Sequence, residues 1–368
     1  MSVGLRNPAI DLLRGISIVL VLLHHFNIAY RLQDTALSRV LGWNTVHAIV
    51  RNGNYAVTIF FVVSGFLITS NAERRWGQLA SIGASTFYRF RAARIMPCIL
   101  LLLVIVNILA TSRITIFQNQ PEFGGPVPLW VVDLASLTFW MNVLMSHSGW
   151  LNYVLCVQWS LSVEEVFYLS FPILCLLLRR DRLLLLAWSV VIVIGPIWRA
   201  THQATEYTEL NSYLSCFDGI AFGCCAAVLG RHVRLPARTR TMLQILVAGA
   251  MAWFYLSWSI QTTAIYGVTL MALGTAILLI LLGGVVSSRR TRPSLLRFCG
   301  RLSYELYLFH LVILGSLRTI WPPDDTQGDI RVLLLVAYLL LSIGLATVVG
   351  RYYSEPLNRR FRGAFAAA

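Results

Sequence analysis

Long apolar runs recur from one end of the chain to the other, at roughly 10–30, 52–71, 95–112, 129–146, 160–178, 183–200, 212–229, 242–260, 264–286, 302–320 and 331–350. About 20 such residues make a helix long enough to cross a hydrocarbon core about 30 Å thick. Inside lipid only helices and closed barrels satisfy their own backbone. These runs are continuous rather than alternating, so they read as helices. Composition agrees: 57% of residues are hydrophobic and 12% charged, with mean hydropathy +0.69, whereas soluble domains carry about a quarter charged residues. The predicted fold class is an all-α polytopic membrane protein, with the lipid bilayer as its first partner. Residues 1–368 read as one integral-membrane domain, and no appended soluble domain is expected. The halves show no similarity that would suggest the inverted repeats of a transporter.

Charge sets the number of crossings. The net charge is +14 and every one of the 30 basic residues is arginine. The arginines cluster between apolar runs, the pattern of cytoplasmic loops rather than of a nucleic-acid surface. The run at 129–146 carries Asp133 and Asn142 and follows QPEFGGPVP. If it crossed, sixteen arginines within 179–182, 231–240, 289–301 and 351–362 would lie outside; if it is re-entrant or interfacial, all fall inside. The expectation is about ten transmembrane helices plus one re-entrant or interfacial segment, with both termini cytoplasmic. The seven cysteines lack metal-ligand spacing and read as small core residues; no metal is expected.

The first run, DLLRGISIVLVLLHHF at 11–26, holds charge where apolar residues are the rule. At about 100° and 1.5 Å per residue, Arg14 and His25 lie within about 20° of one another, about 16 Å apart along one face. Asp11 falls within about 60° of that stripe, and His24 points about 80° away. A charge inside a span costs about 2.5–3.5 kcal/mol or more, so an intramembrane ionisable residue is a functional-site hypothesis. His24 reads as a neutral histidine bonded to a neighbouring carbonyl, and His25 as functional.

Other stretches carry weaker signals. FFVVSGFLIT (60–69) contains Ser64-Gly65, which suits close helix packing. In YRFRAARIMP (88–97), Arg91 and Arg94 share a helical face and suit either a positive-inside flank or a phosphate clamp. In QWSLSVEEVFYLSFP (158–172), Ser162 and Glu165 have capping-box spacing, which leaves Glu164 to fix a histidine tautomer at the depth of His25. RLSYELYLFH (301–310) places Tyr304, Tyr307 and His310 on an apolar helix, and SEPLNRRFR offers Glu355 to nearby arginines.

Taken in order, DLLRG with its arginine–histidine spacing, FFVVSGFLIT, RAARIMP, WSLSVEEVFYL, SYELYLFH and the terminal SEP resemble the acyltransferase-3 family of bacterial integral-membrane acyltransferases. The resemblance implies transfer of an acyl group, usually acetyl, from cytoplasmic acyl-CoA to a hydroxyl of a glycan or a small natural product. It implies the bacterial inner membrane, no bound cofactor, and acyl-CoA as co-substrate. Carried over, Arg14 and His25 match the family's essential pair, Arg91 and Arg94 its basic motif, and Glu164 its Trp-Ser-Leu…Glu motif. The expected mechanism has His25 as general base oriented by Glu164, with Arg91 and Arg94 holding CoA phosphates and Arg14 along the donor's route. Asp11, Ser64, Trp159, Tyr304 and His310 are expected along the substrate cavity, and direct transfer is expected over an acyl-enzyme. The rival reading is a transporter or flippase for an anionic or glycan substrate.

Overall fold

A computed structural model describes residues 7–282 and 294–367. Arg289, Arg290 and Arg292 of the arginine cluster at 289–301, and the end of the run at 264–286, lie outside the described residues. The chain begins with α1 (Pro8–Ala29), the short α2 (Ala36–Leu41) and α3 (Trp43–Val50), then α4 (Gly53–Trp76) and α5 (Ala84–Thr111). Next come α6 (Leu129–Thr138), α7 (Met141–Ser148), α8 (Trp159–Leu178), α9 (Asp181–Thr201), the one-turn α10 (Glu206–Glu209) and α11 (Tyr213–Gly230). The last third holds α12 (Ala237–Ser257), α13 (Ile260–Leu282), α14 (Leu295–Arg301), α15 (Ser303–Ile320), α16 (Ile330–Val349) and, after a π turn over Gly350–Ser354, α17 (Glu355–Ala367).

The predicted class holds: among the described residues there is no strand, only one isolated bridge between Asn119 and Asn152. Each of the ten runs predicted to span corresponds to a helix of 18 residues or more. Among the described residues eight stretches are long and apolar enough to cross a membrane; α12 and α15 are not among them, because Arg238 and Arg240 open α12, and Glu305, His310 and Arg318 interrupt α15. The run at 129–146 is broken in two at Phe139, whose φ is +62°. The 10 residues of α6 span only about 15 Å, half a hydrocarbon core.

Local signals explain the first helix. Asn7 caps α1 by accepting from the Ala9 amide at 3.0 Å, and Pro8 stands in the first turn, where it wastes no donor. Two crossings depend on glycine. A Cβ at Gly65 would collide with the Ile220 carbonyl of α11, and one at Gly223 with the Val62 carbonyl of α4. Likewise Gly15 of α1 and Gly300 of α14 meet backbone to backbone, at Leu296 and Asp11. Lipid offers no hydrophobic drive between helices, so such close approach supplies the packing. Gly65 is therefore a packing residue of α4.

The capping-box expectation fails. Helix α8 starts at Trp159, which leaves Ser162 and Glu165 inside it, and Ser162 Oγ donates to the Gln158 carbonyl at 3.1 Å while accepting from the Met141 amide at 3.2 Å. All seven cysteines are buried thiols.

Candidate active site

The stripe on α1 faces α15. Near one end Arg14 donates from Nε and Nη2 to the Ser303 hydroxyl, at 3.1 and 2.7 Å. Further along, the His25 and His310 rings lie 4.9 Å apart, edge to face, with His310 Nε2 3.4 Å from His25 Nδ1. Carbonyl oxygens only accept, and this assigns both tautomers from the hydrogen-bond network. His310 Nδ1 lies 2.8 Å from the Tyr307 carbonyl and 3.1 Å from that of Leu306, so it carries the proton and Nε2 the lone pair. His25 Nδ1 lies 2.9 Å from the Val21 carbonyl, so it too is protonated, and this same Nδ1–H faces the His310 lone pair at 3.4 Å. Among the described residues nothing hydrogen-bonds His25 Nε2, which keeps its lone pair. His310 is fully buried and His25 partly exposed.

Trp150 stands beside this site, its ring 6.4 Å from that of His25. The segment carrying Trp150 is pinned by Asn152, which donates to Phe117 O at 3.1 Å and Asn119 Oδ1 at 2.9 Å and accepts from the Val154 and Leu155 amides. His24 does other work: its Nδ1 donates to the Val50 carbonyl at 2.7 Å, and a Cβ at Gly53 would fall on its ring.

A second cluster joins α5 to α8. Arg91 donates from Nε and Nη2 to Glu165 Oε1 at 2.8 and 2.5 Å, and Nη2 stands 3.4 Å from Glu164 Oε2. Its guanidinium lies 4.0 Å over the Tyr168 ring, with Ser64 also beside Tyr168. Arg94, one turn on, is exposed. Tyr307 bridges the clusters, its hydroxyl 2.7 Å from Ser160 Oγ and 3.1 Å from the Val157 carbonyl. Tyr304 donates to the Ile95 carbonyl at 2.9 Å, and Trp159 packs edge-on against Phe61. Ser354 donates to Glu305 at 2.8 Å, tying the SEP stretch to α15, while Glu355 pairs with Arg359 at 2.9 Å.

Sequence reasoning thus differs from the geometry at two points. The group against His25 is His310 rather than Glu164, and Arg91 is engaged by carboxylates rather than open to a ligand. Asp11 lies on the Arg14 stripe with its main-chain oxygen against Gly300. A further cluster went unnoticed. Arg199 of α9 and Asp218 of α11 form an ion pair at 2.7 Å with both side chains fully buried. Arg199 also donates to Thr269 Oγ1 at 2.6 Å, to the Ile265 carbonyl at 3.3 Å and to the Ser215 carbonyl. Asp218 accepts from the Gly219 amide at 2.8 Å, and Gly195 is small because a Cβ there would strike its carboxylate. The signal was present: Asp218 is the lone acid in YLSCFDGIAFG, and Arg199 ends an apolar run.

A family model described as an acyltransferase domain matches residues 7–351. The chain belongs to the acyltransferase-3 family. It is 24% identical over 379 residues to the peptidoglycan O-acetyltransferase OatA of Listeria monocytogenes, which covers 96% of this chain and 56% of that protein. Against the O-acetyltransferase OatA of Staphylococcus aureus it is 23% identical over 387 residues, covering 98% and 58%. Nodulation protein 10 of Rhizobium leguminosarum bv. viciae is 25% identical over 284 residues, 72% of each chain. The chain spans a little over half the length of the OatA relatives. No solved structure matches it.

Proposed function

We propose that this family member is a membrane O-acyltransferase that moves an acyl group, in the first instance acetyl, from acyl-CoA to a hydroxyl of a sugar, cell-surface glycan or natural product. The observation that carries this reading is the His25–His310 pair, in which one imidazole is polarised at Nδ1 and open at Nε2. Both OatA relatives are named O-acetyltransferases, which points to acetyl and a hydroxyl acceptor.

The chemistry follows from the tautomers. The acceptor hydroxyl attacks the thioester carbonyl as His25 Nε2 takes its proton, and the C–O bond forms. The tetrahedral intermediate then expels the thiolate of CoA, which recovers that proton from His25 as the C–S bond breaks. While His25 is an imidazolium, its Nδ1–H faces two neutral acceptors, the Val21 carbonyl and His310 Nε2. Neutral acceptors stabilise a transient cation without burying a permanent anion beside it. Arg14, held by Ser303 on the same stripe, supports the donor's approach, and Arg94 is the exposed member of the basic motif available to CoA phosphates. The Glu164, Glu165 and Arg91 cluster sets the α5–α8 wall.

The test is acetyl transfer from labelled acetyl-CoA to sugar acceptors by the purified chain in liposomes. Transfer that disappears in His25→Ala, while CoA binding persists, supports the reading; donor that is never consumed, with any acceptor or water, favours transport instead. The proposed sidedness has its own check. A reporter after Arg182 should read cytoplasm and one near Asp325 the outside; the reverse at Arg182 would mean that 129–146 crosses.

A further inference from the structure

A cleft of about 870 Å³ opens where α4, α11 and α13 end beside the turn that leads into α12. Its rim carries Arg74, Arg231, Arg234 and Arg240, and its floor is apolar, with Phe66, Ile280 and Leu281. Arg231 is neutralised: it pairs with Glu73, which also lines the cleft, and with Asp181 at 3.0 Å. No carboxylate of the described residues pairs with the other three. Among the described residues Arg74 bonds only the Asn71 amide oxygen, and Arg234 only the Val233 carbonyl, at 3.3 Å. On the same turn Val233 and Leu235 are exposed apolar side chains.

We propose that this cleft binds the phosphate headgroup of an anionic phospholipid, with an acyl chain along its floor. Ordinary positive-inside flanks scatter arginines over helix ends in water. Here three uncompensated guanidiniums line one cavity beside an apolar surface, the chemistry of a lipid phosphate at the membrane interface. Exposed Val233 and Leu235 suit the acyl–headgroup boundary that such a lipid occupies. Among the described residues the cleft takes no wall from α1, α5 or α15, the helices that carry Arg14 and His25, Arg91, and His310, so it stands apart from the route of a donor to the histidines. The inference is therefore independent of the transferase reading.

The experiment uses the full chain in neutral detergent, titrated separately with phosphatidylglycerol, phosphatidylcholine and acetyl-CoA. Native mass spectrometry counts bound lipid, and a thermal melt reads stabilisation. Phosphatidylglycerol should be retained and raise the melting temperature, and phosphatidylcholine should do neither. At about 1 kcal/mol per arginine near a lipid surface, Arg234→Gln with Arg240→Gln should weaken phosphatidylglycerol binding roughly 25-fold. The double lysine variant should keep most of it. Exposed Arg234 allows a single Arg234→Gln, with a loss of roughly fivefold, should the double variant fold poorly. Unchanged phosphatidylglycerol affinity in the glutamine variants overturns the proposal. So does displacement of phosphatidylglycerol by acetyl-CoA together with loss of acetyl-CoA binding in those variants, which would make the cleft a donor site.

Discussion

Two polar pairs sit inside the helix bundle, and they are built to opposite ends. Arg199 and Asp218 are sealed, both side chains at 0% exposure, with the guanidinium shared among a carboxylate, a hydroxyl and two carbonyls. His25 and His310 form a pair with only one ring fully buried, and one nitrogen of the exposed ring is left unspent. A network whose every group is satisfied holds helices in place and has nothing to offer a substrate. A pair with one open lone pair has something to offer. The contrast separates scaffold from chemistry by where the unsatisfied capacity lies, although both pairs are equally improbable in an apolar span.

The largest effect should come from unbalancing the sealed pair. Arg199→Met leaves Asp218 buried without its cation and should cost about 3–5 kcal/mol of stability. The read-out is loss of monodisperse protein and a lowered melt. Adding Asp218→Leu should restore most of it, and whatever Arg199→Met protein folds should transfer acyl groups at a normal rate per molecule. A well-folded but inactive Arg199→Met would move that pair into the chemistry and break the comparison.

The open pair should behave in reverse. His25→Ala should lose at least about 10²-fold in transfer, the lower contribution of a positioned general base, with an almost unchanged melt. His24→Ala, one residue away, should lose its bond to the Val50 carbonyl and lower the melt while most activity persists. Equal activity losses at the two positions would show that the stripe singled out the wrong ring.

His310→Ala comes next. It removes an acceptor from the imidazolium that forms on His25, and a hydrogen bond to a charged group is worth about 1.5–3 kcal/mol, hence roughly 10–150-fold in rate. The loss should fall on kcat rather than on KM, and His310→Gln should recover part of it; a loss confined to KM would make His310 a substrate contact instead.

Arg91 sharpens the comparison from between the extremes, since it is paired like Arg199 but less deeply buried. Arg91→Ala strands Glu165 and should cost about 1–3 kcal/mol of stability, measured by melting, with Arg91→Lys intermediate because lysine lacks the fork. A raised KM for acyl-CoA at unchanged stability would return Arg91 to the phosphate clamp. The smallest effect belongs to the exposed Arg359–Glu355 pair, where Glu355→Ala should change the melt by no more than about 0.5 kcal/mol.

The helices, and the stripe that puts Arg14 and His25 on one face, follow from the sequence alone, because helical period and apolar run length are local properties. The same period separated His24 from His25, and the two rings do have different partners. The charge pattern singled out 129–146 as the anomalous run, and the chain breaks there at Phe139. Partner choice is another matter. His310 meets His25 across 285 residues, and Arg199 meets Asp218 because two apolar helices cross at one height. In a chain where nearly every helix is apolar on most faces, hydrophobic pattern does not say which face meets which neighbour. That choice rests on where glycines let backbones touch, as at Gly65 with Ile220 and Gly15 with Leu296, and on which polar groups can satisfy one another there. Glu164 and Glu165 show the consequence: adjacent in sequence, they were assigned to a histidine and a cap, and the packing of α5 against α8 brings both to Arg91 instead.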